Sequence, residues 1–470
     1  MEFGALSRLI VISNRVAPAE GSHSGAQGGL AVALQSALRE MGGIWFGWSG
    51  GQTDVFTGQV NLQRGDGYTT ATVDLEEQDI DEYYNGYANR TLWPLFHYRM
   101  DLAEYERGFA GGYQRVNERF ADTVRPLIEQ DDTVWIQDYH MIPLGQELRR
   151  RGCANRIGFF LHTPWPPRRL LATLPEANEL VETLFAYDVL GFHTAEWLES
   201  FCDFARLEMG ADIEEDGDVI RFGGRTVRVI VCPIGIDTAE FRALAASDTA
   251  QHTCRQMERS AVGRAMIVGV DRLDYSKGLE ERLLGFERFL LEHPEERKEL
   301  FLLQIAPPSR ASVGSYQRIR NTLEGLSGRI NGEHADLDWV PIRYVNQGYP
   351  RDVLAGVYRA SRIGLVTPLR DGMNLVAKEY VAAQDPGDPG VLILSRFAGA
   401  AAQMQEAVLV NPYSAEEISD AILTALRMPR DERIARWRAL MDGVEREDVM
   451  WWRKRFTDEL IAAPSLAEVD

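Results

Sequence analysis

Along the chain, short apolar blocks alternate with polar or Gly/Pro-containing stretches and with segments of helical spacing. Leu9–Ser13 is a short apolar run that ends in Asn14 and Arg15; a Gly- and Ser-containing loop follows, and Gly28-Gly29 opens a helix to about Glu40. From Asp132 the alternation is regular. Strands are predicted at Thr133–Gln137, ending in Asp138; at Arg156–Leu161, ending in His162; at Tyr187–Phe192; and at Arg225–Val231. A second series begins with AMIVGV at Ala265, which leads into DRLDYSKG, and continues with LFLLQIA before PPSR, Arg362–Thr367 and Val391–Leu394. Met373–Ala383 is predicted as a helix from Leu375, Val376, Tyr380 and Ala383, with Asp371 entering its first turn. Asp442–Leu460, with Trp451 and Trp452, is predicted as one further helix.

Strands that alternate with helices imply an α/β fold with parallel, doubly wound sheets. At 470 residues the chain suits two or three domains. The Pro233–Gly235 stretch is the expected hinge. It separates residues 1–233 from 234–441, with a helix at 442–462 packing back toward the first domain and a frayed tail at 463–470. Residues 44–112 are rich in aromatic rings, most of them expected in core or lid packing.

Composition narrows the function. A hydrophobic content of 45% and a charged content of 26% are those of a globular protein. The net charge of −20 argues against nucleic-acid partners, which need a basic face. An anionic small substrate would therefore need a locally basic site. Only four lysines occur (Lys277, Lys298, Lys378 and Lys454) among many arginines, which hints that a retained lysine does what arginine cannot. Cys153, Cys202, Cys232 and Cys254 show no metal or redox spacing, which suits a reduced cytoplasmic protein. The apolar run Leu9–Ile12 is too short for a signal peptide or a membrane span.

Candidate chemistry lies at strand ends. Arg15, Asp138, His162, Arg272, Arg310 and Asp371 each fall at the C-terminal side of a predicted strand, the edge where open parallel sheets bind ligands. Taken singly, each also serves as a cap or a surface ion pair. Arg272 and Lys277 before the Gly278-led helix suit a diphosphate. Arg15 and Arg310 form a second candidate phosphate site, and Tyr84 and Trp93 offer rings for a sugar face. Two anion sites with hydroxyl-binding groups between them suggest transfer between phosphorylated sugars. Neither GxGxxG nor a Walker A loop is present, no Ser-His-Asp or Cys-His arrangement is evident, and no cluster asks for a metal.

These stretches carry a family resemblance. VISNRVAP, GGLAVAL, WFGWSG, DEYYNGYANRTLWPLFHYR, WIQDYHMIPL, GFFLHTPWP, CPIGID, DRLDYSKGLEER, QIAPPSR, GRING and TPLRDGMNLVAKEYVAAQ run from about residue 8 to 456. In them the chain resembles the trehalose-6-phosphate synthase family (glycosyltransferase family 20), retaining enzymes of the GT-B type with two Rossmann-like domains and the active site in the cleft between them. The resemblance implies transfer of glucose from a nucleotide-glucose, usually UDP-glucose, to glucose 6-phosphate, with the cleft closing on its substrates.

By matching motifs, Arg15, Tyr84, Trp93, Asp138 and Arg310 would hold glucose 6-phosphate. Gly28, Gly29, Arg272 and Lys277 would hold the donor diphosphate. His162, Asp371, Gly372 and Met373 would meet the donor glucose, and Asn374, Leu375, Val376 and Glu379 the nucleoside. Arg272, Lys277, Asp138, His162 and Asp371 form the implied catalytic set. The resemblance further implies no metal or other cofactor and a homodimer or homotetramer; the lack of a DxDGT-type phosphatase motif in this sequence implies a separate phosphatase acting on the product. Trp165 departs from many relatives and would place a bulky indole near the donor sugar. Glucosylglycerol-phosphate synthesis, cyclitol coupling by a pseudo-glycosyltransferase and a silent sugar-phosphate sensor are the competing readings.

Overall fold

The computed structural model of the protein describes residues 8–16, 29–65, 67–308 and 314–464. Two sequence-predicted site residues, Gly28 and Arg310, lie outside the described residues. The chain forms two compact units. One holds the described residues up to Pro233 and those from Met450 onward; the other is Ile234–Val449.

The first unit is built on a ten-stranded sheet. Its strands are β1 (Leu9–Arg15), β2 (Gly43–Thr53), β3 (Asn61–Arg64), β4 (Thr69–Glu76), β5 (Thr133–Gln137), β6 (Ile157–Phe160), β7 (Val189–Phe192), β8 (Asp212–Ile213), β9 (Val219–Phe222) and β10 (Arg225–Val231). Their order is β3-β4-β2-β1-β5-β6-β7-β10-β9-β8. The seven strands from β4 to β10 in that order are parallel, and β3, β9 and β8 pair antiparallel at the edges. Strand order reverses between β1 and β5, so the chain leaves a crevice at their C-terminal ends. β2 and β4 were not expected from the aromatic-rich stretch. In β2, Trp45, Phe46 and Trp48 are all buried, so burial on both faces replaces the period-two signal of a strand.

The second unit carries a six-stranded, wholly parallel sheet. Its strands are β11 (Ala265–Val270), β12 (Leu300–Ile305), β13 (Ile342–Val345), β14 (Ile363–Val366), β15 (Val391–Ser395) and β16 (Val408–Val410). The order β13-β12-β11-β14-β15-β16 is the doubly wound order of dinucleotide-binding folds, with its switch point between β11 and β14. Near-continuous apolar runs such as Leu300–Leu303 are buried on both faces, as a sheet covered by helices on each side requires. Ile267, Leu283, Phe286, Leu302, Ile363 and Ile422 share one core cluster.

Two helix predictions need correction. The segment expected as one helix over 442–460 is two, Arg430–Arg446 and Val449–Ala462. The break admits the backbone of Gly235: a β-carbon there would lie 2.4 Å from the Asp448 carbonyl carbon and the Glu447 oxygen. The Val449 N–H donates to the Ile236 carbonyl at 3.0 Å instead of continuing the first helix. The return to the first unit thus comes at Met450 and not at residue 442. The second correction is that the helix expected from Met373 begins at Leu375. Asn374 adopts φ 70°, ψ 81°, a left-handed conformation that a right-handed helix cannot include.

The last helix, Val449–Ala462, seals the first sheet. Trp452 and Phe456 are fully buried, and the Trp135 ring stacks on Phe456 at 4.8 Å. Close approach is possible because β6 and β7 present Gly158 and Gly191. A β-carbon at either would come within 2.7–2.8 Å of the Phe456 ring.

Candidate active site

The second unit gathers its predicted residues at the switch point. β11 runs into Asp271, Arg272 and the turn Asp274–Gly278. The Asp274 carboxylate accepts from the Ser276 N–H at 3.0 Å, and Gly278 takes φ 61°. Only glycine suits that position: a β-carbon would lie 2.3 Å from the Thr367 carbonyl oxygen, so the turn presses against the end of β14. The loop after β14 is zipped to the same turn, with the Leu369 N–H donating to the Ser276 carbonyl at 2.8 Å. The two loops flanking the switch point are thereby bonded to each other.

Across this seam Lys277 Nζ donates to Asp371 Oδ2 at 2.5 Å, with both side chains almost nine-tenths buried. Asn374 Nδ2 donates to the same Asp371 oxygen at 3.0 Å. Its left-handed backbone turns the amide back over the loop. Beneath lies Arg282, fully buried, which donates to Asp271 (2.7 Å), Gln304 (3.0 Å) and Thr367 (3.0 Å). One guanidinium thus braces the ends of β11, β12 and β14. Burial raises the Asp271 carboxyl above the usual range even though Arg282 and Lys277 oppose the shift. Arg272 itself is exposed beside this network.

Asp371, Gly372 and Met373 lie in the loop and not in the helix; the Asp371 N–H donates to Phe397 O, and Ala400 N–H donates to Met373 O. Leu375, Val376 and Glu379 are half-buried on the helix Leu375–Ala383. Burial pushes the Glu379 carboxyl up to about 7, with nearby Glu240 adding to the shift and Arg351 opposing it.

In the first unit, Arg15, Asp138 and His162 lie on β1, just after β5 and just after β6, around its own switch point. Arg15 is the last strand residue, lying 4.5 Å from the Trp48 ring centre, and Trp48 meets Tyr84 edge-on at 5.4 Å. Tyr84 stacks on His140 at 5.9 Å, and Tyr139, next to His140, meets Trp93 at 5.6 Å. Arg15, Tyr84 and Trp93 are thus strung along one aromatic chain. Trp93 is buried, so its ring supports this chain and offers little open face.

Asp138 has φ 73°, strained for a non-glycine residue and held by its neighbours. Its carboxylate accepts the His162 backbone N–H at 3.1 Å. The His162 ring contacts the Gln137 amide oxygen through Nε2 at 2.9 Å, and burial holds its pKa down to about 3. The imidazole is therefore neutral near pH 7. Trp165 is fully buried against Phe96 and Phe201, so its indole presents no open face. Gly29 opens its helix as expected.

Reading the sequence missed Arg282, Gln304, Thr367, Trp48 and Gln137. One signal existed for Arg282. It sits beside Leu283 and one turn before Phe286, on the apolar face of its helix, where a charge needs buried partners.

Comparisons with known proteins agree with this architecture. The model for glycosyltransferase family 20 matches residues 7–462. A trehalose-6-phosphate synthase from Sinorhizobium fredii is 48% identical over 97% of this chain and 99% of its own length. The crystal structure of a UDP-forming α,α-trehalose-phosphate synthase from Burkholderia xenovorans, in complex with glucose-6-phosphate, is 47% identical with a TM-score of 0.93, covering 97% of this chain and 100% of that one. An E. coli structure bound with UDP-2-fluoro glucose is 43% identical with a TM-score of 0.93, covering 98% and 100% of the two chains. The family model spans nearly the whole chain and the relatives cover it almost completely: the chain belongs to glycosyltransferase family 20, the trehalose-6-phosphate synthases.

Proposed function

We propose that this glycosyltransferase moves the glucosyl group of UDP-glucose to glucose 6-phosphate, with retention at the anomeric carbon, giving α,α-trehalose 6-phosphate and UDP. The observation that carries this reading is the Lys277–Asp371 pair at the switch point of the second unit. It sets a cation for a leaving diphosphate beside a carboxylate for sugar hydroxyls. The bound ligands of the Burkholderia and E. coli relatives support the two substrates.

In this mechanism the bond from the anomeric carbon to the diphosphate oxygen breaks. The bond to the acceptor hydroxyl forms on the same face, and the hydroxyl proton passes to the departing diphosphate. Arg272 and Lys277 stabilise the charge that grows on the leaving group. Asp371, with Gly372 and Met373, holds the donor glucose; Glu379 takes the ribose hydroxyls, with Asn374, Leu375 and Val376 beside the nucleoside. His162, neutral, serves as a hydrogen-bonding group and not as an acid. Arg15, Tyr84 and Asp138 serve the acceptor, with Trp93, buried against Tyr139, in support. Charge neutralisation by these side chains needs no metal. Release of the product's phosphate falls to a separate phosphatase.

Product analysis with glucose 6-phosphate and UDP-, ADP- or GDP-glucose tests the reading. Trehalose 6-phosphate, fastest from UDP-glucose, is the expected result. Consumption of glycerol 3-phosphate in its place would replace this reading with the glycerol-phosphate one, and silence with both acceptors would leave a sensor.

A further inference from the structure

Lys378 is not used by the mechanism, yet it is one of the four lysines and is 1% exposed. It precedes Glu379 on the helix Leu375–Ala383. Its ammonium donates to the Ile234 carbonyl and to Gln403 Oε1, both at 2.8 Å. Gln403 in turn donates to the Glu447 carboxylate. Ile234 is the first residue of the second unit, and Glu447 lies two before its last, Val449. These are the segments by which the chain enters and leaves the unit, and they also join each other through Val449 N–H to Ile236 O and Thr238 Oγ1 to Val444 O.

The same network reaches the loop that bears Asp371. Gln403 follows the turn Gly399–Ala402. In that turn Gly399 N–H donates to Asp371 O at 3.1 Å, and Ala400 N–H donates to Met373 O at 2.9 Å. A shift of the Asp371–Met373 loop is thereby passed to Gln403, and a shift of the Glu379 helix to Lys378. Both end on the entering and leaving segments. A long apolar stem with a compact charged head fits a buried point with two acceptors; a planar guanidinium does not.

We propose that Lys378 is a positioning residue for the reaction, one that couples donor occupancy of the Asp371 loop and the Glu379 helix to the conformation of the two segments at 234–238 and 444–449. The proposal rests on the donor reading above. Removing the ammonium should uncouple these segments while leaving the groups that would contact the nucleotide in place.

Amide hydrogen exchange of the full chain, with and without UDP, tests it. In the wild type UDP is expected to slow exchange in both segments. Lys378→Met keeps the stem and is expected to bind UDP within ~3-fold of the wild type, below the usual range of coupling strengths, while losing that protection in both segments, with kcat reduced. Gln403→Leu removes the branch to Glu447 and one of the two Lys378 acceptors but leaves the ammonium on the Ile234 carbonyl, so protection should be lost more at 444–449 than at 234–238. It also provides a readout if Lys378→Met does not fold, and a merely structural residue would not produce this segment-by-segment split. Unchanged UDP protection of both segments in either folded variant overturns the coupling. A wild type that does not bind UDP overturns the donor reading and this proposal together, which is a distinguishable result.

Discussion

Lys277 and Asp371, 94 residues apart in sequence, share a 2.5 Å ion pair across the switch point of the second sheet. Two half-sites proposed for different parts of the donor, its diphosphate and its glucose, thus hold each other directly. Lys277→Met should lower turnover ~10²–10³-fold, the usual loss for a group that stabilises transition-state charge. It should also leave Asp371 buried without its cation, a loss of ~3–5 kcal/mol in buried pairs, part of it offset here by Asn374. Lys277→Met/Asp371→Asn should therefore be more stable to urea than Lys277→Met alone. If the double variant is the less stable of the two, the ion pair is not the dominant interaction of either residue.

Arg282 makes a second, sharper stability prediction. It is fully buried and serves Asp271, Gln304 and Thr367 together. Arg282→Met should destabilise by up to ~3–5 kcal/mol because it takes the guanidinium from a buried carboxylate that only Asn374 and the charge of Lys277 would then support. Arg282→Met/Asp271→Asn should recover much of that loss in urea denaturation. Equal stability of Arg282→Met and wild type would show that the strand ends hold without the guanidinium.

Donor binding should depend on pH through Glu379. Its carboxyl is held up to about 7, so near neutrality a large fraction is protonated in the free protein. A carboxylate that accepts two ribose hydroxyls binds best when ionised. UDP affinity should therefore fall as pH drops from about 7 toward 5, by at most ~10-fold per unit, and binding at pH 6.5 should release protons. For folding the sign is opposite. The native state binds the extra proton between the ordinary glutamate value and about 7, so this group's contribution to stability falls as pH rises through that window. Calorimetry in buffers of different ionisation heat reads the proton release; a Glu379→Gln variant with the same release would assign it elsewhere.

Gly158 and Gly191 make room for the closing helix of the first unit. Gly158→Val should cost ~1–3 kcal/mol by overpacking against Phe456. Adding Phe456→Ala should return part of the loss. Thermal denaturation of the three variants measures this, and additive losses would argue against the contact.

Turnover should be insensitive to a chelator, since Arg272 and Lys277 supply the positive charge at the leaving group. Activity lost to EDTA and restored by a divalent cation would contradict that assignment.

Much of this protein was legible in its residues. The apolar blocks that became β1, β5, β6, β7, β11, β12, β14 and β15 are strands buried on both faces, which leave a continuous apolar run in sequence. Their polar ends gave Arg15, Asp138, His162, Arg272 and Asp371, because a parallel sheet carries its binding groups in the loops after its strands. What only the tertiary structure decided depends on partners distant in sequence. Burial in β2 follows from packing on both sides, and the left-handed Asn374 answers to Asp371 and Asp271. The helix break at Glu447–Asp448 exists because the backbone of Gly235 packs there. Trp165 is held in an aromatic core by Phe96 and Phe201. Local pattern reports which residues want to be inside; which charge meets which is settled by strand order, and that is how Lys277 comes to face Asp371 and Arg282 to brace three strands.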